Sequence, residues 1–225
     1  MSVAILQFPG TNCEQDVAYA YKHIGAEVNI VWHKCENLPA KTTLVIVPGG
    51  FSYGDYLRSG AIARFSPIMR AVEQFAKSGG YVLGICNGFQ ILCESGLLPG
   101  ALKRNKNLHF IHQWQDLYVC SNDNVFLCDY AQDSLISLPI AHADGSYFID
   151  EVGLKKLQQN NQILLRYQSD VNGSIERIAG ICNESKNVFG LMPHPERAIE
   201  STLGGISGLA MLKTLYENTK TLRVS

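Results

Sequence analysis

The chain has 225 residues, of which 46% are hydrophobic and 17% are charged, and its formal net charge is −1 at pH 7. This composition predicts a globular protein with a sizeable core and gives no electrostatic case for binding nucleic acid or an anionic membrane. The seven cysteines are an odd number without a Cys-x-x-Cys pair, which argues against a disulfide framework or a zinc ribbon and favours a reducing compartment, the cytoplasm.

The amino-terminal half alternates short apolar runs with segments of helical periodicity. In chain order this pattern predicts strands at residues 3–8, 27–32, 43–47 and 81–85, and helices that start at Asn12, at Ser66 and after the fourth strand. The first run ends at Pro9-Gly10, too early for a signal peptide or a membrane span. Because loops or helices rather than tight hairpins separate these strands, we expect an α/β fold with an open, doubly wound, mostly parallel sheet, and a site at the carboxyl ends of its strands.

The carboxyl-terminal half changes character. Closely spaced β-rich runs with polar turns predict antiparallel hairpins that decorate the sheet, at residues 113–120, 125–130 and 134–140. A helix is expected at residues 151–159, strands at 163–167, 175–182 and 188–192, and a last helix at 208–219. The sequence contains no internal repeat, low-complexity tract or linker, so residues 1–225 are expected to form one domain.

The segment Gly84-Ile85-Cys86-Asn87-Gly88 joins the fourth strand to a helix and has the pattern of a nucleophile elbow with cysteine as the nucleophile. Such a turn holds its central residue in a strained backbone conformation, and glycines two positions to either side prevent collisions. The helix amino terminus favours a thiolate and can receive an oxyanion. The alternative is a buried cysteine in an ordinary glycine-containing turn.

A Gly-Gly pair, Gly49-Gly50, follows the third strand. Glycines at this position let backbone N–H groups face a ligand without obstruction, and the neighbouring strand end is where an oxyanion needs donors. An ordinary turn is the alternative for this pair. A phosphate loop is excluded because no Gly-Lys-Ser/Thr follows.

A cysteine nucleophile needs a histidine, which in turn benefits from a third group that orients it. Two of the six histidines belong to a His-x-acid pair, His142 with Asp144 and His194 with Glu196. Prolines on both sides of His194 restrict its backbone, and the segment leaves a short buried strand, so we favour His194 as the base. The turn signal Asp144-Gly145 favours a mobile loop for the first pair, which stays the alternative.

The other four histidines are expected to have no catalytic role. His23 and His33 are predicted to lie on the surface. His109 and His112 have an i, i+3 spacing, but no acidic or cysteine partner of matching spacing accompanies them. We therefore expect no metal ligand in this chain.

Four segments of the chain together resemble a known family, the class I (triad) glutamine amidotransferases. They are Phe-Pro-Gly-Thr-Asn-Cys-Glu at residues 8–14, the Pro-Gly-Gly segment at 48–58, Gly-Ile-Cys-Asn-Gly-Phe-Gln at 84–90 and Met-Pro-His-Pro-Glu-Arg at 192–197. Within this family the four segments are most similar to the glutaminase subunits of phosphoribosylformylglycinamidine synthases. Those subunits resemble Ala-His-Gly-Glu-Gly around His142, whereas this chain has Ala-His-Ala-Asp-Gly.

The resemblance implies a flavodoxin-like fold with an antiparallel β insertion, and a role for each matching residue. Cys86 attacks the carboxamide of glutamine, and His194, oriented by Glu196, protonates the departing ammonia and then activates water against a γ-glutamyl thioester. The oxyanion and glutamine are held by Gly49, Gly50, Asn87 and Gln90. No cofactor is implied on this chain.

The resemblance also implies partners. Ammonia passes to a synthetase subunit that uses Mg-ATP to convert formylglycinamide ribonucleotide to the amidine, with a possible small accessory subunit. The candidate contacts with the synthetase are Thr11, Asn12, Tyr53, Asp55 and Arg58. Rival functions are a γ-glutamyl hydrolase, an amidotransferase serving a different synthetase, a redox-sensing or chaperone-like protein with an oxidisable Cys86, and a non-catalytic scaffold.

Overall fold

The computed structural model describes residues 1–221, and these residues form an α/β fold. In chain order the strands are β1 (Ser2–Gln7), β2 (Glu27–Trp32), β3 (Thr42–Val47), β4 (Tyr81–Ile85), β5 (Ala101–Lys103), β6 (Ile111–Val119), β7 (Leu135–His142), β8 (Ser146–Phe148), β9 (Ile163–Tyr167), β10 (Ile178–Cys182) and β11 (Val188–Leu191). The α-helices are α1 (Glu14–His23), α2 (Pro67–Lys77), α3 (Asn87–Glu94), α4 (Glu151–Gln159) and α5 (Ser207–Thr221).

Nine strands form one open sheet in the order β2-β1-β3-β4-β11-β10-β9-β6-β7, and β5 and β8 form a separate antiparallel pair. The four pairings from β2 to β11 are parallel, and the four from β11 to β7 are antiparallel. Since β9 and β7 again run in the direction of β1, seven of the nine strands share one direction. The expected α/β fold with a mostly parallel open sheet is confirmed, and β6 and β7 extend this sheet at one edge.

The centre of the sheet is apolar on both faces. All six residues of β3 are buried, and so are the first five of β1. Strands of this kind need cover on both faces, which is typical of parallel sheets. Helices α1, α2, α3 and α5 contact these central strands. Among the helices of residues 1–221, none has the length and apolarity that a membrane crossing requires.

The prediction that Asn12 caps the first helix is wrong. Helix α1 begins at Glu14, the residue before it is Cys13, and no side chain caps its amino terminus. The Asn12 side chain has a different partner, because its Oδ1 accepts a hydrogen bond from the Cys13 thiol at 3.1 Å. The helix therefore begins one residue later than the capping pattern predicts.

The predicted strand at residues 125–130 is also wrong. The segment forms turns, although Phe126 and Leu127 are buried as strand residues would be. Asn124 accounts for the difference, because its Oδ1 accepts hydrogen bonds from the N–H groups of Phe126 and Leu127. Local side-chain bonds of this kind compete with strand pairing and favour a turn. Residues 175–177 likewise form a 3-10 turn ahead of β10.

The topology brings distant parts of the chain to one edge. Strands β1, β3, β4 and β11 are consecutive neighbours in the sheet and parallel to one another. Their carboxyl ends lead into the segments that contain Cys13, Gly49, Cys86 and His194 respectively. In open α/β sheets ligands bind outside such strand ends.

Candidate active site

Cys86 occupies a strained turn between β4 and α3. Its φ is 51° and its ψ is −106°, a conformation that L-residues rarely adopt, and its exposed fraction is 6%. The neighbouring glycines are sterically required. A Cβ atom on Gly88 would lie 1.8 Å from the carbonyl oxygen of Val47, and one on Gly84 would lie 2.7 Å from the Gly88 carbonyl carbon. The elbow predicted from the sequence is therefore present, with α3 pressed directly against β3.

His194 and Glu196 form a buried pair just after β11. Nδ1 of His194 lies 2.6 Å from Oε1 of Glu196, and both side chains are almost fully excluded from solvent. The backbone N–H of His194 donates to the carbonyl oxygen of Pro139 at 2.8 Å, which anchors the segment to β7. Because Nδ1 is engaged by the carboxylate, Nε2 is the nitrogen left for chemistry.

The electrostatic setting of His194 favours its protonated form. Burial alone lowers the pKa of this imidazole, but the negative charges of Glu196 and of a Cys86 thiolate outweigh that effect, so the net pKa lies well above the ordinary value. A protonated imidazole beside a thiolate is the arrangement that activates cysteine nucleophiles. The same imidazolium can then supply a proton to a leaving amine.

Cys86 and His194 share a cavity of about 250 Å³ that is also lined by Gly50, Phe51 and Arg197. Gly49 forms the corner between the two catalytic candidates. A Cβ atom on Gly49 would lie 2.8 Å from Cε1 of His194 and 3.5 Å from Cβ of Cys86. The side chains of Cys86 and His194 therefore both border the space above Gly49, and the Cys13 sulfur, at 3.0 Å from the same Cβ position, borders it as well.

Asn87 ties the elbow to the loop after β3. Its side-chain Oδ1 accepts a hydrogen bond from the Ser52 N–H at 3.0 Å, and its Nδ2 donates to Oε1 of Gln90 at 2.8 Å. The loop that contains Gly49 and Gly50 is therefore tethered to the amino terminus of α3 through Ser52. That placement supports the predicted use of backbone N–H groups from both segments as oxyanion donors.

Gln90 does not line the cavity. Its Nε2 donates to the carbonyl oxygen of Asp144 at 2.6 Å, so the side chain connects α3 to the loop after β7. That loop reaches the nucleophile through its backbone, since the Sγ of Cys86 lies 3.7 Å from the carbonyl oxygen of Ala141. Direct binding of glutamine by Gln90 stays a prediction, and the observed contact gives this residue a positioning role.

The alternative pair, His142 and Asp144, is not assembled as a base with its orienting acid. Nδ1 of His142 donates to Oδ1 of Asn105 at 3.1 Å, whereas Asp144 accepts from the Ser59 hydroxyl at 2.9 Å. The direction of the first bond follows from Asn105, whose Nδ2 already donates to two carbonyl oxygens. Burial lowers the pKa of His142 to about 4, with a smaller contribution from the charge of His194. His142 is thus a neutral, buried residue that shapes the loop.

The candidate partner contacts divide into two groups. Asn12 and Arg58 are exposed, and Arg58 forms a bidentate ion pair with Glu94, with Nε 2.5 Å from Oε1. Thr11 and Tyr53 have inward contacts: the Thr11 hydroxyl accepts from the Phe8 N–H, and the Tyr53 hydroxyl lies 2.9 Å from Nδ1 of a histidine. That histidine is His33, which is buried, so its predicted surface position is wrong.

Asp55 is the fifth of these candidates and carries a testable pH dependence. Burial raises the pKa of Asp55 to about 6, a hydrogen bond from Ser59 opposes the shift, and the charge of Asp144 adds to it. The folded chain therefore holds a proton that the unfolded chain releases between pH 4 and pH 6. Ionisation destabilises the fold, with the full effect above pH 6 and none below the ordinary aspartate pKa.

Asp55→Asn is accordingly expected to raise the free energy of unfolding at pH 8 by on the order of 1 kcal/mol after solvent screening. The gain should shrink as the pH falls through 6 toward 4. Asparagine tolerates the positive φ of 53° found at this position. Urea unfolding of both proteins at several pH values checks this, and a gain that is the same at all pH values would contradict it.

Several cavity residues were not singled out from the sequence. Cys13 and Arg197 form part of the wall, with Nη2 of Arg197 3.2 Å from the Cys13 sulfur. Phe110 immediately precedes β6 and Ala141 lies in β7, so the extension of the sheet by these two strands closes one side of the cavity. The sequence does indicate a place for Cys13 in the site, because Cys13 follows β1, and β1 ends at the same sheet edge as β3 and β4.

Comparisons with known proteins agree with this geometry. A family model described as a CobB/CobQ-like glutamine amidotransferase domain matches residues 1–208. The chain is 63% identical over 216 residues to the phosphoribosylformylglycinamidine synthase subunit PurQ of Wolinella succinogenes, covering 96% of this chain and 99% of that protein. It is 66% identical over 215 residues to the PurQ subunit of Helicobacter hepaticus, covering 96% and 97%.

Solved structures extend the likeness to three dimensions. A chain in the structure of PurLQS from Thermotoga maritima superposes with a TM-score of 0.89 at 44% sequence identity, covering 96% of this chain and 98% of that one. The glutaminase domain of a Trypanosoma brucei CTPS with bound acivicin superposes with a TM-score of 0.63 at 12% identity, covering 96% and 94%. The second match shows a shared fold.

Proposed function

The chain belongs to the CobB/CobQ-like glutamine amidotransferase family, and from that premise we propose that it is the glutaminase subunit of a phosphoribosylformylglycinamidine synthase. It hydrolyses glutamine to glutamate and ammonia for purine biosynthesis. The observation that carries the assignment is the buried His194–Glu196 pair at 2.6 Å, whose histidine lines the same cavity as the strained Cys86. The rival functions that involve no glutamine turnover, a redox-sensing or chaperone-like protein and a non-catalytic scaffold, assign no role to this pair.

The proposed reaction starts with Cys86. Its thiolate attacks the side-chain carboxamide carbon of glutamine, and the N–H groups of Asn87 and of the Gly49–Gly50 segment stabilise the resulting oxyanion. Each such donor typically contributes about 3–4 kcal/mol to transition-state stabilisation. The protonated His194 transfers its Nε2 proton to the departing nitrogen, ammonia leaves, and a γ-glutamyl thioester remains on Cys86.

In the second half of the reaction His194 acts as a base. Its Nε2, now unprotonated, takes a proton from water, and the hydroxide adds to the thioester carbonyl through the same oxyanion donors. Glutamate departs and Cys86 is regenerated. Glu196 stabilises the imidazolium that is present at the start of the first half-reaction and forms again in the second, and it keeps the ring oriented through Nδ1.

Glu196→Gln is expected to lower the kcat of glutamine hydrolysis by about 10²- to 10⁴-fold while leaving measurable activity. The amide preserves the shape of the side chain but removes the charge that supports the imidazolium. The acidic limb of the kcat profile should move to lower pH, because less negative charge holds the His194 proton. Glu217→Gln, a surface change on α5, is the control, and a Glu196→Gln enzyme with the kcat of the unmodified enzyme would contradict the assigned role.

We propose that ammonia passes to a synthetase subunit, with a small accessory subunit in the same assembly. The relative from Thermotoga maritima was solved as PurLQS, which supports this composition. The chain itself is proposed to need no cofactor, and Mg-ATP is used by the synthetase. A position in the cytoplasm fits seven free cysteines. We further propose that residues 1–225 form one catalytic domain, because the main sheet takes strands from both ends of the chain.

The surface around the loop after β3 fits a protein partner. Tyr56 and Leu57 are 71% and 80% exposed, and Phe65 nearby in the chain is 73% exposed. Phe51, also exposed, joins this apolar surface to the wall of the cavity. With Arg58 and Asn12 these residues make a mixed apolar and polar rim, which is typical of subunit interfaces. We therefore propose that the synthetase docks over this loop.

The assignment is tested by measuring glutamate release by the purified chain with and without a purified synthetase of this type. We expect turnover of glutamine, stimulation by the synthetase, and formation of the amidine only when both are present. Stimulation is expected because docking on the loop after β3 would align the donors of Gly49 and Gly50. Absence of glutamine turnover in the assembled complex would refute the proposal.

A further inference from the structure

A side-chain hydrogen bond joins the loop after β3 to the loop after β7. The hydroxyl of Ser59 donates to Oδ2 of Asp144 at 2.9 Å, and the exposed fraction of Ser59 is 8%. Gln90 holds the second of these loops from α3, because its Nε2 donates to the backbone carbonyl oxygen of Asp144. Asp144 is therefore held through its side chain by one loop and through its backbone by the elbow helix.

The chain just before Asp144 borders the proposed nucleophile. Ala141 lies near the end of β7, and its carbonyl oxygen is 3.7 Å from the Sγ of Cys86. Asn105 holds the segment between Ala141 and Asp144, because its Nδ2 donates to the carbonyl oxygen of His142 at 2.8 Å. Since this short segment is held together, a displacement of Asp144 reaches the backbone beside Cys86.

The loop after β3 is strained, and it presents the apolar surface on which the synthetase is proposed to dock. Tyr53 and Leu57 have φ values of 54° and 70°, in the left-handed region that L-residues rarely adopt. Such conformations persist only where surrounding contacts hold them. The exposed side chains of Tyr56 and Leu57 lie just before Ser59 in the chain. A partner that presses on them therefore acts on a segment whose position depends on contacts such as that of Ser59.

We propose that the Ser59–Asp144 hydrogen bond couples docking of the synthetase to Cys86, and that Ser59 is a positioning residue for the partner-stimulated reaction. The inference rests on the proposed function, and it adds a route from the docking surface to the nucleophile besides the oxyanion donors. Docking moves Ser59, the hydrogen bond carries Asp144 with it, and the end of β7 repositions beside the Cys86 sulfur.

The charges around Ser59 make its hydroxyl hard to replace. Asp55, in the loop after β3, lies near enough to Asp144 for the two carboxyl groups to interact, and the Ser59 hydroxyl also bonds to Asp55. The other carboxylate oxygen of Asp144 lies 3.7 Å from Nε of Arg104, which is mostly exposed. Without the Ser59 hydroxyl, the two carboxyl groups would have no donor between them and would repel each other once both are ionised. Loss of this hydroxyl is therefore expected to uncouple the two loops.

Ser59→Ala tests the coupling in the full-length chain and in the assembled complex. We expect the kcat of the chain alone to stay unchanged, because Ser59 does not line the cavity and Gln90 still holds the backbone of Asp144. The stimulation factor is the kcat with saturating synthetase divided by the kcat without it. We expect this factor to fall at least about 5-fold, the lower end of the range typical of coupling between two sites.

Two further variants serve as controls. Ser59→Thr retains the hydroxyl and should keep the stimulation factor of the unmodified chain. Ser78→Ala removes an exposed hydroxyl just after α2, whose bond is to the carbonyl oxygen of Phe75, and should also leave the factor unchanged. Because each kcat is taken at saturating synthetase, weaker docking by a variant does not imitate a loss of coupling.

A double variant separates this hydrogen bond from a general loosening of the loops. Asp144→Ala should lower the stimulation factor as Ser59→Ala does, and the combined variant should lower it no further. Additive losses would overturn the proposal. So would a stimulation factor that Ser59→Ala leaves unchanged, an equal loss of kcat with and without the synthetase, or an unmodified chain that the synthetase does not stimulate. Glutamine turnover persists in each of these outcomes, whereas failure of the proposed function is the absence of that turnover in the assembled complex.

Discussion

Replacing Cys86 with alanine is expected to abolish glutamine-dependent amidine synthesis by the complex while ammonia-dependent synthesis continues at its normal rate. The thiolate forms the only covalent bond between the enzyme and the acyl group in the proposed reaction, and loss of a nucleophile in comparable enzymes costs about 10⁶-fold in kcat. The synthetase reaction with free ammonia does not pass through Cys86. Assays with glutamine and with an ammonium salt, on the same assembled complex, separate the two activities.

Cys93→Ala supplies the control for this experiment. Cys93 lies on α3, about two helical turns beyond the elbow. Its thiol contacts the carbonyl oxygen of Pro99 and does not line the cavity. Its replacement should leave both activities intact. Equal loss of the glutamine-dependent and ammonia-dependent activities in the Cys86 variant would indicate a structural role for Cys86 and would refute the nucleophile assignment.

Replacing Gly88 with alanine is expected to lower the free energy of unfolding by about 3 kcal/mol or more, as severe overpacking does. The added methyl group would lie 1.8 Å from the carbonyl oxygen of Val47, so α3 must move away from β3. That movement displaces Cys86 at the start of the helix, and a shift of about 1 Å at a catalytic group can cost about 10²-fold in rate. Urea unfolding and glutamate release measure the two effects.

Gly96→Ala distinguishes this collision from backbone strain. Gly96 has a φ of +74° just after α3, but nothing lies within 4 Å of an added Cβ there. Only the conformational penalty of about 1–2 kcal/mol should appear, with little effect on turnover. If Gly88→Ala lowers the free energy of unfolding by no more than Gly96→Ala does, the close contact between α3 and β3 is not the reason that the elbow needs glycine at position 88.

Local patterns in the sequence were sufficient for most of the fold. Strand β2, the elbow strand β4, strand β9 and helix α4 have the predicted bounds, because a short apolar run or a clear cap defines each of them. The cap of α4 is an example, since Asp150 accepts a hydrogen bond from the Gly153 N–H. The failed strand at 125–130 has the apolar content of a strand, but its neighbour Asn124 diverts the backbone into turns.

The site was predictable only in part, for a physical reason. Cys86 and His194 stand in rigid local motifs whose glycines and prolines are visible in the sequence. Cys13 lies in the segment at residues 8–14, but its contact with Arg197 depends on the pairing of β1 with β3, of β3 with β4 and of β4 with β11. The inward contact of Gln90 with Asp144 has the same origin, because the loop after β7 reaches α3 only in the folded chain. Tertiary pairings of this kind leave no local signature.

The insertion of β11 between β4 and β10 has a consequence for how the protein is made. Residues 86–187 separate β4 from the neighbour that completes its ladder, so a nascent chain presents β4 with one unpaired flank while the ribosome adds that stretch. Cys86, the proposed nucleophile, is synthesised long before His194, the proposed base. A nascent chain that ends before His194 therefore carries the sulfur without the imidazole that is proposed to release ammonia.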